Sequence, residues 1–143
     1  MTNKYMIFIA NWKMFGGLNS LNSINPVIKF LKIFKNKKSV KIIYCPPTTL
    51  IYPMYKRFKN TPLMIGGQNC HENHKSGAFT GSINATMLKN VGASHVIIGH
   101  SENRRNGENN TLINQKIKSA IKSGLNVIFC IGETLGERKK KTH

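Results

Sequence analysis

Two short segments of the 143-residue chain carry polar and charged side chains where an α/β protein binds its ligands. The first is Asn11-Trp12-Lys13, an amide and an ammonium separated by one residue. On an extended strand, residues i and i+2 share a face, so Asn11 and Lys13 point together while Trp12 faces the other way. The second is His100-Ser101-Glu102-Asn103-Arg104-Arg105, which directly follows Val96-Ile97-Ile98-Gly99. A titratable polar cluster just after a buried strand is an active-site placement in α/β proteins, and a helical turn starting there would aim its N-terminal dipole at the His100 imidazole. A lone histidine would read as structural, and a lone lysine at a strand end as a solvent group; His100 is not alone. His71 and His74 stand three residues apart in a polar stretch with no third ligand nearby, so no metal site is expected there.

These groups need elements to hold them. Residues 5–12, 40–45, 63–68, 95–99 and 127–131 read as strands, being short, β-branched or aromatic, and bounded by Gly, Pro or polar clusters. Several are apolar on both faces, as parallel strands covered by helices must be. Between them, residues 109–124 place Leu112, Ile113, Ile117, Ala120 and Ile121 at helical spacing, with Gly124 where a helix ends. Leu21, Ile24, Ile28, Leu31 and Phe34 form a similar stripe, with the regular helix starting near Asn25 so that Pro26 falls in its first turn. Residues 48–58 and 84–90 are shorter helical segments. Strand and helix alternate up to a fifth strand, the βαβ pattern of an α/β protein. No composition shift marks a second domain.

Composition narrows the function. Twenty-two residues are Lys or Arg and 5 are acidic, all of them Glu, giving a net charge of +17. Such a charge invites a nucleic-acid reading. The basic residues are mostly Lys, however, scattered at one or two per predicted helix in a chain rich in Asn and Ile, so solvated faces account for them. No nucleic-acid partner is expected, and the field remains compatible with a small anionic substrate. The longest apolar runs, residues 6–10 and 127–131, fall far short of the roughly 20 residues of a membrane-spanning helix. Residues 1–9 lack the features of a signal peptide, so a cytoplasmic location and no membrane partner are expected. Cys45, Cys70 and Cys130 form no Cys-x-x-Cys pair and are expected to be reduced and mostly buried.

Five motifs in order complete the reading: Asn11-Trp12-Lys13-Met14, Gly67-Gln68-Asn69, Gly77-Ala78-Phe79-Thr80-Gly81, Ile98-Gly99-His100-Ser101-Glu102 and Cys130-Ile131-Gly132-Glu133-Thr134-Leu135. Together they resemble the N-terminal part of the triosephosphate isomerase family, over essentially all 143 residues. The resemblance implies a (β/α)8 TIM barrel, a fold of roughly 250 residues, of which this chain holds the first five βα units. Residues 1–143 would then be one incomplete barrel domain, cut after the fifth strand.

The resemblance also implies roles. The activity would be interconversion of dihydroxyacetone phosphate and D-glyceraldehyde 3-phosphate, in glycolysis and gluconeogenesis, without cofactor or metal. Lys13 would place positive charge on the phosphate and the developing enediolate, and Asn11 would help hold both Lys13 and the substrate. His100 would be a neutral imidazole donating to the carbonyl oxygen, Glu102 a carboxylate behind Lys13, Glu133 a supporting residue and Cys130 a packing residue. Residues 70–83 resemble a long loop that inserts into a partner subunit and carries Phe79 and Thr80 to the interface, which implies a homodimer. Ser82 stands where the family usually has Glu, and Asn103 where it usually has Arg, so one cross-subunit pair is lost. The family's proton-shuttling carboxylate, its lid and its phosphate grip come from later units. Two competing readings are an inactive or incomplete isomerase chain without that Glu and, from another class, a basic nucleic-acid-binding module.

Overall fold

The computed structural model describes residues 6–34, 39–133 and 135–140. The expected strand residue Tyr5, the motif residue Thr134 and the last three residues lie outside them.

Five strands alternate with helices: β1 (Met6–Asn11), α1 (Asn25–Ile33), β2 (Val40–Cys45), α2 (Thr48–Phe58), β3 (Met64–Gly67), α3 (Ala85–Asn90), β4 (His95–Ile98), α4 (Ser101–Arg105), α5 (Asn110–Lys122), β5 (Asn126–Phe129) and α6 (Leu135–Lys140). All neighbouring strands pair in parallel, in the order β1-β2-β3-β4-β5. Spatial order follows sequence order. The registers pair Asn11 with Cys45, Gly67 with Val96 and Ile98 with Phe129, so the strands' carboxyl ends lie along one rim.

The helix ends follow local chemistry. The expected stripe from Leu21 to Phe34 divides at Pro26: a 3-10 helix runs over Leu18–Ile24, and α1 starts at Asn25 with the proline in its first turn. Asn84 and Asn109 cap α3 and α5, each accepting from the backbone amide three residues on. In α2 the internal Pro53 forfeits one backbone hydrogen bond, while Leu50, Ile51, Met54 and Phe58 are buried from the same helix. Burying such a side chain fully is worth about 1.5–3 kcal/mol, which outweighs that loss.

The larger core lies between the sheet and its helices and includes Ile24, Ile51, Met54, Leu88, Val96 and Ile98. A second, smaller cluster, Ile43, Cys45 and Ile97, occupies the opposite face of the sheet. β3 is squeezed between these layers: a Cβ at Gly66 would meet Cys45 Sγ at 2.6 Å, and one at Gly67 would meet Leu88 Cδ1 at 2.7 Å. At the sheet's edges the picture differs, since Met6, Ile7, Phe8 and Ile9 of β1 are 44–61% exposed and Phe129 of β5 is 50% exposed. Within the described residues no helix is long and apolar enough to cross a membrane.

One expectation about α5 changes, since Ile121 is exposed. Lys116 is buried on the same helix, where it meets an ion-pair partner described below that only the folded chain supplies.

Candidate active site at the strand carboxyl ends

A cleft of about 400 Å³ opens at the carboxyl ends of the strands. Asn11, Lys13, Gln68, His100, Glu102 and Lys116 are among the residues of its wall. β1 ends at Asn11, so a turn beyond the strand, and not strand parity, carries Lys13 to the cleft. Asn11 and Lys13 face the cleft, whereas Trp12 packs against the helix-side core and meets Tyr44 edge to face, with ring centroids 6.0 Å apart.

Lys13 is held at three points. Its amide donates to Asn11 Oδ1 at 2.9 Å, its carbonyl accepts from Gln68 Nε2 at 2.8 Å, and its Nζ donates to Glu102 Oε1 at 2.9 Å. It needs this holding, because it is the non-glycine residue with positive φ among those described, at 52°. The left-handed region costs a residue with a Cβ about 1–2 kcal/mol. Its ammonium holds the Glu102 carboxyl below the usual range, chiefly through their hydrogen bond, against an opposing desolvation effect and with help from the charges of Lys13, His100 and Arg105.

His100 is the N-cap of α4. Its Nδ1 lies 3.3 Å from the Glu102 amide nitrogen and 3.5 Å from Glu102 Oε2. In the shorter contact the Glu102 amide donates to Nδ1, and the imidazole shares the cleft wall with the Lys13 ammonium.

Other residues fix the rim. Arg104 donates to Gly99 O at 2.7 Å, to Asn110 Oδ1 at 2.9 Å and to Cys130 O at 3.2 Å, tying the ends of β4 and β5 together. Gly99 sits at φ 76°, and a Cβ there would meet Cys130 O at 3.2 Å. Lys116 Nζ pairs with Glu108 Oε1 in a buried contact, and Asn69 bridges them, accepting from Lys116 at 3.3 Å and donating to Glu108 at 2.7 Å. No hydrogen spacing announces this trio, since Glu108 precedes α5 and Asn69 follows β3.

Phe79 and Thr80 do not line the cleft of their own chain. Both are exposed on the loop after β3, where the Phe79 ring packs on His71 with centroids 4.4 Å apart. The loop's base is closed by the His71 amide donating to Ile83 O at 2.8 Å. Ser82 and Asn103, uncharged residues, both line the cleft. Glu133 lies 3.6 Å from Arg138, while Cys130 is half-buried against the smaller core cluster. Burial pushes the Cys45 thiol up to about 12 and the Cys70 thiol up to about 11. Among the described residues no group of three or more His, Cys or Glu is arranged to hold a metal ion.

A parallel sheet wound with helices in strict βα order, carrying its polar groups at the strands' carboxyl ends, defines the class of βα-barrel proteins that bind small ligands on that rim. Within this class, the model of the triosephosphate isomerase family matches residues 6–143, and the chain belongs to that family. It is 42% identical over 135 residues to the triosephosphate isomerase of Carboxydothermus hydrogenoformans, an alignment covering 93% of this chain and 53% of that protein. With the Buchnera aphidicola triosephosphate isomerase it shares 41% identity over 133 residues, covering 92% and 52%. The crystal structure of triosephosphate isomerase from Bartonella henselae superposes with a TM-score of 0.86 at 37% identity, covering 94% of this chain and 55% of that one. The five strands are therefore the first part of a TIM barrel, and the chain spans about half the length of the relatives it matches.

Proposed function

We propose that the full-length protein is a triosephosphate isomerase, interconverting dihydroxyacetone phosphate and D-glyceraldehyde 3-phosphate in glycolysis and gluconeogenesis, in the cytoplasm and without cofactor or metal. In this reading residues 1–143 are part of a single barrel domain. The observation that carries it is the common cleft wall of Lys13 and His100, at the ends of β1 and β4, in a chain of this family.

The two groups divide the work. Lys13, whose backbone amide donates to Asn11 and whose ammonium donates to Glu102, binds the substrate phosphate through that ammonium and meets negative charge as the enediolate forms. His100 Nε2–H donates to the carbonyl oxygen, a hydrogen bond that strengthens as that oxygen becomes anionic. Proton transfer at carbon needs a carboxylate free to accept. Glu102 is engaged with Lys13, and Glu108 is buried against Lys116. The family resemblance assigns that step to a Glu of a later barrel unit.

A homodimer fits the exposed loop that carries Phe79 and Thr80. Ser82 and Asn103 would leave its interface without one charge pair and without an orphaned charge.

The test is isomerisation by the full-length protein and by its Lys13→Met variant. Loss of the ammonium is expected to cost on the order of several kcal/mol of transition-state stabilisation. Turnover by the variant close to that of the parent at saturating substrate would make Lys13 a solvent lysine and remove the reading.

A further inference from the structure

Arg104 holds the chain on both sides of His100 without standing in the cleft wall. Its guanidinium Nε donates at 2.7 Å to Gly99 O, the carbonyl of the peptide that enters His100. Its backbone amide donates at 3.0 Å to His100 O, the carbonyl of the peptide that leaves it. The same guanidinium donates from Nη2 to Cys130 O at 3.2 Å and from Nη1 to Asn110 Oδ1 at 2.9 Å. One residue of α4 thus ties the entry to His100 to the end of β5 and to the first turn of α5.

His100 needs such a tie. It is the N-cap of α4, a helix of five residues, and so short a helix is not stable by itself. Gly99 before it stands at φ 76°, so the peptide joining the two residues continues neither a strand nor a helix. The contact from the Glu102 amide to His100 Nδ1 comes from within the same short helix and moves with it. The guanidinium contacts reach outside that helix. Nε and Nη2 project from one edge of a rigid plane, so they meet Gly99 O and Cys130 O, at the ends of neighbouring strands, together. A flexible ammonium has no such edge.

We propose that Arg104 is a positioning residue for the His100 imidazole: by clamping the Gly99–His100 peptide to the end of β5 it sets the direction in which the ring enters the cleft. Its effect on rate rests on the isomerase reading, whereas its effect on the ring does not. With the clamp removed, the peptide turns about the left-handed Gly99 and the imidazole leaves its place in the wall. Misplacement of about 1 Å at a reacting group is enough for a loss of about a hundredfold in rate.

The test uses full-length protein with Arg104→Lys, which keeps the positive charge and the backbone amide but not the planar edge. Its first readout is the nitrogen-15 NMR signal of His100 Nδ1, which senses the hydrogen bond from the Glu102 amide and is expected to shift from its position in the parent. The second readout is kinetic. The kcat is expected to fall by about tenfold to about a hundredfold with KM little changed, because the bond from His100 strengthens as charge develops in the transition state. In a His100→Gln background the same change at Arg104 is expected to cost little more, since the two residues act as one unit. An unmoved nitrogen signal overturns the proposal. So does unchanged kcat beside an active parent, and so does a loss that adds in full to that of His100→Gln. A parent without isomerase activity removes the isomerase reading, and the nitrogen signal then decides the role of Arg104 by itself. Failure of Arg104→Lys to fold makes Arg104 a structural residue and overturns the proposal as well.

Discussion

Lys13 Nζ and Glu102 Oε1 meet at 2.9 Å across 89 residues of sequence, joining the carboxyl ends of β1 and β4. Both side chains are about half exposed, so the pair adds little to stability. Its consequence is positional: the ammonium is fixed beside the imidazole of His100, whose own Nδ1 accepts from the Glu102 amide. Glu102 thus contacts both groups, one through its carboxylate and the other through its backbone amide.

The titration of Glu102 reports that arrangement. Its folded-state pKa is lowered, chiefly by the hydrogen bond from Lys13, so its contribution is present above the ordinary carboxylate pKa and is lost as pH falls through the lowered value. Lys13→Met is expected to raise the Glu102 midpoint and to flatten the fall of stability between about pH 5 and pH 3. Urea unfolding of both proteins across that range checks it. Parallel pH profiles would mean that Glu102 is not held by Lys13 in solution.

His100→Gln is expected to lower kcat of the full-length protein far more than it raises KM. The Nε2–H bond to the carbonyl oxygen gains strength only as charge develops there, so its loss falls on the transition state. Steady-state kinetics with both triose phosphates separate the two effects. A loss confined to KM would make His100 a substrate-binding residue only.

Glu108 and Lys116 form a buried pair, each side chain 9% exposed, and Glu108 Oε2 has no hydrogen-bond partner among the described residues. Lys116→Met strands the Glu108 carboxylate in the protein interior, which costs about 3–5 kcal/mol. Adding Glu108→Leu removes the stranded charge and is expected to return most of that stability. Denaturant unfolding of the single and double variants measures both. A single variant within about 1 kcal/mol of the parent would place the pair in an environment as wet as the surface.

The alternation of strands and helices was legible because each apolar run is bounded by Gly, Pro or polar residues, and caps such as Asn109 are local signals. Asn11 and Lys13 were legible as neighbours at the end of an apolar run. The turn that presents Lys13 was not, because lysine carries no preference for a left-handed backbone and its contacts with Gln68 and Glu102 come from distant parts of the chain. Ile121 falls on the apolar stripe of α5 by spacing yet is exposed, while the burial of Lys116 depends on its meeting Glu108 and Asn69, which come from two loops. Arg104 is visible in sequence as part of the polar cluster after β4, but its hold on the carbonyls of Gly99 and Cys130 and on the Asn110 side chain is not, since the fold alone brings them together.

The isolated stretch of residues 1–143 is expected to be poorly stable and without useful isomerase activity. β1 and β5 are the edges of the five-stranded sheet, and Met6, Ile7, Phe8, Ile9 and Phe129 lie exposed there. Unpaired parallel edges lined with such side chains are aggregation-prone, and closing a barrel is what removes them. Nor does the stretch hold a carboxylate placed to move the proton. Glu102 binds Lys13, Glu108 is buried with Lys116, Glu72 lies 3.5 Å from His71, Glu133 faces Arg138, and Glu137 belongs to α6. In the proposed mechanism Lys13 and His100 stabilise developing charge and do not carry a proton between carbons, so only background enolisation is expected. Circular dichroism during heating, with an isomerisation assay on the same sample, tests both halves. Turnover within tenfold of a typical kcat of roughly 1 to 1,000 per second, together with one sharp unfolding transition, would show that five units suffice for both folding and catalysis.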